Sequence, residues 1–436
     1  MLRNSISILI LICFVHIHVL AQSYTSYFTG NVEDRVTSPL GGICLMGGAS
    51  ENDEAMKWFL KRASGGDILV LRASGSDGYN NYLFSELGME VNSVETIVFH
   101  EAAANNETYI HDRIEQAEAI WFAGGDQWKY VSYWRDTKID SLINIAITNR
   151  NIVIGGTSAG MAILGGHYFS AEKGTITSPL ALADPYNEFV TVDSTAFINL
   201  DYLQDVVTDT HYDNPIRKGR HVVFMARMIE DYGVDAKGIA CEEHTAVCIN
   251  TEGIASVFGD PDHDDIAYFI QVNCRLENPS PEVIKSSTPL DWNKNGSALK
   301  VYAVKGTANG SSYFNLNDWL SGKGGTWHDW YVDKGIFHEE DGTFPTCGPL
   351  GTHQNQTHIQ VFPNPVDDVL NIAFGKSTAT FHSVQIVDLT GKIVAHQQGK
   401  FDKKIDIKVR HLPTGIYHLL LTDEKNNVIQ ISFLKN

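Results

Sequence analysis

Positive charge is scarce in this sequence, and the cysteine and histidine spacings of metal sites are missing. The 33 Lys and Arg stand against 52 Asp and Glu, which gives a formal net charge of −19. Few side chains could neutralise a phosphate backbone, so no nucleic-acid partner is expected. The 6 Cys and 17 His form no CxxC pair and no HExxH pattern. We therefore expect neither a bound metal nor another cofactor.

Long apolar runs are also missing after the N-terminus. The chain starts with one positive charge at Arg3, is mainly apolar over residues 6–20, and reaches Ala21 before Gln22. This pattern is typical of a secretory signal peptide, and the run is shorter than the about 20 residues that a membrane span needs. The sequence therefore predicts a signal peptide at residues 1–21 and an exported protein.

Removal of that segment leaves an odd number of cysteines, so at least one thiol stays free or pairs between chains. The five are Cys44, Cys241, Cys248, Cys274 and Cys347. A bridge between Cys274 and Cys347 and a set of buried thiols are both open interpretations.

Composition changes after residue 352. The polar segment 353–360 is typical of a linker. Residues 361–436 hold nine Lys and Arg, seven Asp and Glu and no Trp, so the net negative charge lies in the rest of the chain. Their short alternating apolar runs, separated by Gly and Pro, predict a small antiparallel β-sandwich. We expect a main domain at residues 22–352 and a second one at 361–436.

The last part resembles the type A C-terminal sorting domain of the Bacteroidetes type IX secretion system. Four landmarks occur in the expected order, at Phe362–Pro365, Leu370–Ile372, Asp388–Lys392 and Leu412–Tyr417. The resemblance implies the type IX machinery as a partner, with passage through the periplasm and the outer membrane to the cell surface or the medium. A carbohydrate-binding module is the alternative, but such modules normally display exposed aromatic side chains.

Short apolar runs recur through the main domain, at residues 42–46, 67–71, 95–99, 119–122 and 151–155. Between the last two runs, Ile139, Leu142, Ile143 and Ala146 repeat at helical spacing. This alternation predicts an α/β fold with a mostly parallel sheet that helices cover on both faces. In such sheets ligands bind at the carboxyl ends of the strands.

A glycine-rich turn follows the fifth run. Its sequence, Gly156–Gly160, has the form G-x-S-x-G and predicts a strand-turn-helix nucleophile elbow. Such a turn lifts the Ser158 hydroxyl above the sheet and lets the Ala159 amide point towards a tetrahedral oxyanion. A serine at neutral pH needs a base, and His211 lies in a dense polar segment after a further apolar pair.

Four segments of the main domain resemble peptidase family S51, the group of cyanophycinase and dipeptidase E. They occur in the order of that family between residues 41 and 258, and they are Phe122–Gln127, Gly156–Gly160, Asp209–Arg220 and Glu242–Ala246. The likeness to cyanophycinase is closer than that to dipeptidase E. It implies a serine-type exopeptidase.

The resemblance assigns roles to individual residues. Ser158 becomes the nucleophile and His211 the general base, with Gly125 and Ala159 as oxyanion donors. The acid that orients the base is Glu243 in the cyanophycinase arrangement, whereas the dipeptidase E arrangement would use Glu172. The histidine segment favours Glu243, although the alternative stays open.

The resemblance also implies a substrate class, the β-aspartyl-arginine peptide bond of a cyanophycin-like polymer. Its expected contacts are Asp126, Gln127, Asp209, Thr210, Arg217 and Arg220. Two positions depart from the family pattern, because Thr210 replaces a Gln and Pro215 stands where an Arg is expected. Both departures affect substrate recognition more than acyl transfer.

Three questions stay open at this point. An α/β-hydrolase esterase shares the elbow, but it expects the order Ser, acid, His and an HGGG loop. A non-catalytic surface binding protein on an S51-like scaffold would also fit the two departures. The sequence does not decide between a monomer and a homodimer.

Overall fold

The computed structural model describes residues 22–346, apart from 195, 196 and 261, and residues 360–435, apart from 363–365, 374–379, 389–391, 402–403 and 424–427. They form two compact units with a boundary between Thr346 and Cys347. The predicted signal peptide and residues 353–359 of the predicted linker lie outside the described residues. In the described part of the chain, no helix is both long and apolar enough to cross a membrane.

Short strands make up most of the first unit. Numbered along the chain, they are β1 (Tyr24–Gly30), β2 (Ile43–Met46), β3 (Asp67–Arg72), β4 (Ser93–Phe99), β5 (Ala119–Phe122), β6 (Val153–Thr157), β7 (Tyr168–Phe169), β8 (Val192–Asp193), β9 (Val206–Asp209), β10 (Lys237–Cys241), β11 (Ala246–Ile249), β12 (Ile254–Phe258), β13 (Ile266–Val272), β14 (Val283–Lys285), β15 (Thr288–Asp291), β16 (Leu299–Lys305), β17 (Ser312–Asn315), β18 (Gly322–Lys323), β19 (Gly325–Asp333) and β20 (Ile336–Asp341).

One large sheet contains ten of these strands, in the order β1-β4-β3-β5-β6-β2-β11-β12-β17-β18. Its centre is parallel, because β4, β3, β5, β6 and β2 pair with their neighbours in parallel register. These five strands are the five apolar runs of the sequence, so the predicted parallel sheet is confirmed. The remaining strands extend it in antiparallel register on both sides.

Helices cover both faces of the parallel strands. The helices of the first unit are α1 (Asp53–Arg62), α2 (Gly78–Asn81), α3 (Thr108–Gln116), α4 (Gln127–Trp134), α5 (Lys138–Arg150), α6 (Ala159–Ala162), α7 (Ser178–Ala183) and α8 (Lys218–Tyr232), with a π turn at Tyr82–Glu86 and a 3₁₀ turn at Ala102–Asn106. Phe59 of α1 packs in one core cluster with Trp121. Ile110, Trp134 and Ile143 of α3, α4 and α5 pack in the cluster on the opposite face.

The sequence pattern does not predict the second sheet, which has six strands in the order β20-β19-β16-β13-β10-β9. Its strands pair in antiparallel register, except that β9 and β10 are parallel. Ile239, Phe269 and Val304 join the core of the large sheet, whereas Ile270 packs with Val223 of α8 on the other side. The second sheet therefore lies between the large sheet and α8.

The second unit consists of β21 (Gln360–Phe362), β22 (Val369–Ala373), β23 (Phe381–Asp388), β24 (Ile393–Phe401), β25 (Lys404–Lys408), β26 (Gly415–Asp423) and β27 (Val428–Lys435). They form two antiparallel sheets, β21-β22-β25 and β24-β23-β26-β27. Ile372 and Ile407 of one sheet share a core with Ile386 and Leu419 of the other. The predicted antiparallel β-sandwich is confirmed.

The cysteines fall into two groups. Cys44, Cys241 and Cys248 are buried and free. Cys274 is disulfide-bonded. Cys347, its partner in the bridge that the sequence suggests, lies outside the described residues.

Candidate active site

The turn after β6 holds Ser158 in an unusual backbone conformation, with φ 52° and ψ −119°. Residues with a side chain seldom adopt such angles, and they cluster at functional sites. The flanking glycines make the turn sterically allowed, because a Cβ on Gly156 would lie 2.5 Å from the carbonyl carbon of Gly160. The serine hydroxyl consequently stands at the carboxyl end of the central strand.

His211 follows β9 and also has a positive φ, of 46°. Its backbone N–H donates to the carbonyl of Gly47 at 2.8 Å, which ties it to the loop after β2. Any Cβ on Gly48 would clash with the imidazole ring. The absence of a side chain at Gly48 thus leaves the space that the ring occupies.

Glu243 lies in the turn between β10 and β11. Its backbone N–H donates to Asp213 Oδ1 at 2.9 Å, and Asn214 Nδ2 donates to its Oε2 at 3.4 Å. The side chain is 20% exposed. The hydrogen bond from His211, ahead of that from Asn214, lowers the pKa of Glu243 below its usual value and keeps the carboxylate ionised.

The structure brings Ser158, His211 and Glu243 together, although they are far apart along the chain. His211 Nε2 lies 2.8 Å from Ser158 Oγ, and His211 Nδ1 lies 2.6 Å from Glu243 Oε1. With the ring hydrogen on Nδ1, the histidine donates to the carboxylate and accepts from the hydroxyl. This is the geometry of a nucleophile, a general base and an orienting acid.

Glu172, the alternative acid, lies elsewhere on the surface. Its carboxylate pairs with Lys173 at 3.4 Å and is 44% exposed. The carboxylate at Nδ1 of the histidine is that of Glu243.

Asp209 and two arginines form a buried cluster behind His211. The carboxylate of Asp209 accepts from Nε of Arg220 at 2.8 Å and also from Nη2. Burial would raise the pKa of Asp209, but Arg220 reverses that effect and lowers it. Arg220 is only 3% exposed, so its placement suits the support of the histidine loop better than contact with a substrate.

Arg217 is the more accessible arginine of this cluster. Its Nη1 lies 3.9 Å from Asp209 Oδ1, and its side chain is 20% exposed. Its Nε is buried and has no hydrogen-bond partner among the described residues. Two guanidinium groups therefore lie beside the buried carboxylate of Asp209.

The other predicted contact residues have local partners. Asp126 is the N-cap of α4 and accepts from the Lys129 backbone N–H at 3.3 Å. The side-chain amide of Gln127 donates to the carbonyl of Phe169. Thr210 is buried, and its backbone N–H donates to Asp209 Oδ1 at 2.9 Å.

The predicted oxyanion donors are Gly125, in the turn after β5, and Ala159, which follows the serine directly. A Cβ on Gly124 would be 3.5 Å from Ser158 Cβ, so the turn that contains Gly125 packs against the nucleophile. Ala159 starts the short helix α6. Its N–H is one of those that no preceding helical turn satisfies.

An acidic cavity of about 820 Å³ borders Glu243. Nine carboxylate side chains border it, Glu243 among them, together with His244 and His263. A cavity with such a wall favours cationic groups. The candidate site thus combines the guanidinium groups of Arg217 and Arg220 with a cavity lined by carboxylates.

Sequence reasoning missed three residues that support the site. Gly48 leaves space for the imidazole, and Asp213 and Asn214 hold Glu243. The glycine pair directly after the first predicted strand was the available signal for Gly48. Asp213 and Asn214 lie in the polar segment around His211, but no local pattern connects them to residue 243.

Two parts of the chain match models of known protein families. Residues 77–257 match the model of peptidase family S51, and residues 360–434 match that of the secretion system C-terminal sorting domain. The central segment is thus similar to S51 peptidases. The S51 match includes all three residues of the Ser158, His211 and Glu243 arrangement.

Individual relatives are distant. A cyanophycinase from Trichormus variabilis is 23% identical over 227 residues, which cover 50% of this chain and 70% of that protein. A peptidase from an acI-B1 Actinobacterium aligns with a TM-score of 0.38 and 16% identity, over 51% of this chain and 89% of that one. A putative peptidase E protein from Listeria monocytogenes aligns with a TM-score of 0.32 and 16% identity, over 50% and 98%.

Proposed function

We propose that this chain is an exported serine peptidase that hydrolyses β-aspartyl-arginine or related aspartyl peptide bonds through an acyl-enzyme on Ser158. One observation carries the proposal. The hydroxyl of Ser158, the imidazole of His211 and the carboxylate of Glu243 form an unbroken hydrogen-bond chain of 2.8 Å and 2.6 Å within the segment that matches peptidase family S51.

The proposed reaction has two steps. Ser158 Oγ attacks the scissile carbonyl carbon while His211 Nε2 takes its proton, and the same proton then goes to the departing amine as the C–N bond breaks. Water next attacks the ester, gives its proton to Nε2, and the serine is restored. Glu243 holds the Nδ1–H and stabilises the imidazolium in both steps.

The amides of Gly125 and Ala159 would stabilise the tetrahedral oxyanion. Both belong to turns at the carboxyl ends of adjacent strands, β5 and β6, and both turns border Ser158. Backbone donors of this kind are fixed before the reaction starts, so they stabilise the developing charge with little reorganisation.

The charged groups of the site support a substrate that carries both a carboxylate and an arginine side chain. A substrate carboxylate would lie near Arg217, whose buried Nε has no other partner among the described residues. Burial, and then the like charge of Arg220, lower the pKa of Arg217, so an added anion would relieve an unfavourable environment. An arginine side chain of the substrate would face the acidic cavity beside Glu243.

The activity test uses the mature chain from residue 22 and its Ser158→Ala variant. Both are incubated with cyanophycin, with β-aspartyl-arginine and other isoaspartyl peptides, and with short acyl esters. Turnover of the β-aspartyl-arginine bond by the first protein alone supports the proposal. Turnover of esters alone indicates an esterase, and absence of Ser158 labelling by a fluorophosphonate indicates a non-catalytic binding protein.

Export is the second part of the proposal. The match of residues 360–434 to a secretion sorting domain and the predicted signal peptide together favour passage through the periplasm by the type IX route. Removal of residues 361–436 in a host with that machinery should leave the protein in the periplasm. Equal amounts of the truncated and full chains in the medium would contradict this route.

A further inference from the structure

Two buried thiols face each other in the large sheet, where its parallel strands meet its antiparallel strands. Cys44 on β2 lies directly opposite Cys248 on β11 in the antiparallel register. Their sulfur atoms are 3.7 Å apart. Both side chains are almost fully buried, at 0% and 1% exposure.

We propose that Cys44 and Cys248 close a cross-strand disulfide in the exported protein. Cβ atoms of directly opposite residues in antiparallel strands lie about 4.5–5.5 Å apart. A disulfide needs about 3.5–4.5 Å. A small shift of the two side chains and strands is therefore enough to form the bond.

The bond forms by thiol-disulfide exchange with a small disulfide oxidant. One cysteine thiolate attacks the oxidant and releases one reduced thiol, which leaves a mixed disulfide on the protein. The second cysteine thiolate attacks that sulfur and releases the other reduced thiol. The two cysteines are oxidised and the oxidant is reduced, so the electrons balance.

Closure takes place while the chain folds. In the folded protein, burial raises the pKa of Cys248 well above its usual value, and a buried thiol is a poor nucleophile that oxidants do not reach. The same burial shields the finished bond from reductants. The oxidising compartment that an exported chain enters before it folds is where the exchange would occur.

The proposed disulfide lies close to the loops that hold His211 and Glu243. The pairing of β2 with β11 continues past the strand ends, since Gly47 N–H donates to Thr245 at 2.9 Å and His244 N–H donates to Gly48 at 3.1 Å. Gly48 borders the imidazole of His211, and His244 follows Glu243. A bond between Cys44 and Cys248 would therefore hold the two loops that flank the imidazole in register.

The direct test is peptide mapping of the mature full chain. The protein is reduced and unfolded, refolded with oxidised and reduced glutathione, and its remaining thiols are alkylated in denaturant before digestion. We expect one linked peptide pair that contains Cys44 and Cys248, with Cys241 alkylated. Alkylation of both Cys44 and Cys248, or a link from either to Cys241, would overturn the proposal.

A stability measurement separates this bond from the one at Cys274. The pair Cys44→Ala and Cys248→Ala is compared with the wild type and with the matched control Cys241→Ala, each with and without reductant during refolding. Because the bond closes a loop between residues 204 positions apart, reductant should lower the Tm of wild type and control by about 5–10 °C more than that of the double variant. An equal decrease in all three proteins would refute the bond, whatever their peptidase activity.

Discussion

The two ends of the parallel strands carry polar clusters of opposite character. At the amino end, Glu118 is 3% exposed, and its Oε2 accepts from the Asp67 backbone N–H at 2.8 Å. Burial raises the pKa of Glu118 to about 6. At the carboxyl end, Glu243 is 20% exposed, and the hydrogen bond from His211 lowers its pKa.

The pKa and the contacts of each glutamate are therefore set by its neighbours and not by its residue type. Glu118 accepts from a backbone N–H and lies 3.9 Å from Arg150, so it joins a strand and a helix at a closed end. Glu243 is held by an imidazole that also contacts a hydroxyl. Of the two, Glu243 has the surroundings of a carboxylate that orients a general base.

The largest effect should come from exchanging the carboxylate at the carboxyl end for an amide. Glu243→Gln removes the charge that stabilises the imidazolium, so kcat should fall by about 10²- to 10⁴-fold. Glu118→Gln and Glu172→Gln are matched controls, and their kcat should stay near that of the wild type. Steady-state kinetics decide, and a large loss at residue 172 instead would transfer the acid role.

The next effect compares two buried aspartates. Asp209→Asn leaves Arg220 buried without its counter-ion, so the free energy of unfolding should fall by about 3–5 kcal/mol. Asp67 accepts from Asn92 Nδ2 at 2.9 Å and has no ion pair within the described part of the molecule. Asp67→Asn should therefore cost about 1–3 kcal/mol.

Urea denaturation of both aspartate variants measures this difference. An equal loss of stability would mean that the ion pair of Asp209 adds nothing to its hydrogen bonds.

A smaller effect concerns the space beside the imidazole. Gly48 has a φ of +115°, and a Cβ there would meet His211. Gly48→Ala should displace the ring and lower kcat/KM by about 10²-fold. Gly88 also has a positive φ, +67°, with nothing near its missing Cβ, so Gly88→Ala should lose some stability but keep its activity.

The smallest effect is a pH dependence at the amino end. The pKa of Glu118 in the folded protein, about 6, lies above its usual value of 4.5. Ionisation of this side chain therefore destabilises the folded protein, and this loss of stability is absent below pH 4.5 and complete above pH 6. Between pH 4.5 and pH 7, Glu118→Gln should become more stable relative to wild type by about 1 kcal/mol. Denaturation at both pH values checks this, and a constant difference would contradict the raised pKa.

Much of the large sheet could be predicted from local sequence. The five apolar runs became β2 to β6, and the face formed by Ile139, Leu142, Ile143 and Ala146 is buried in α5. A continuous apolar run predicts a parallel strand that is covered on both faces, because the side chains on both faces must be buried. The glycine-flanked turn at Ser158 was equally readable, because its backbone requires small neighbours.

The second sheet and the support of the site could not be predicted in this way. Strands β13, β16 and β19 pair over long sequence separations. A local sequence pattern does not predict which of these strands pair or in which register. Arg220 shows the same limit. The family resemblance suggested a substrate contact, whereas the side chain of Arg220 is buried against Asp209.

The candidate nucleophile and its partners straddle the two sheets. Ser158 follows β6 of the ten-stranded sheet, while His211 follows β9 and Glu243 follows β10 of the six-stranded one. Neither layer alone holds all three groups. A chain whose two sheets have not yet docked therefore cannot bring the three side chains together, and the proposed hydrolysis would begin only after docking. Peptidase activity would consequently serve as a sensitive reporter of that docking event.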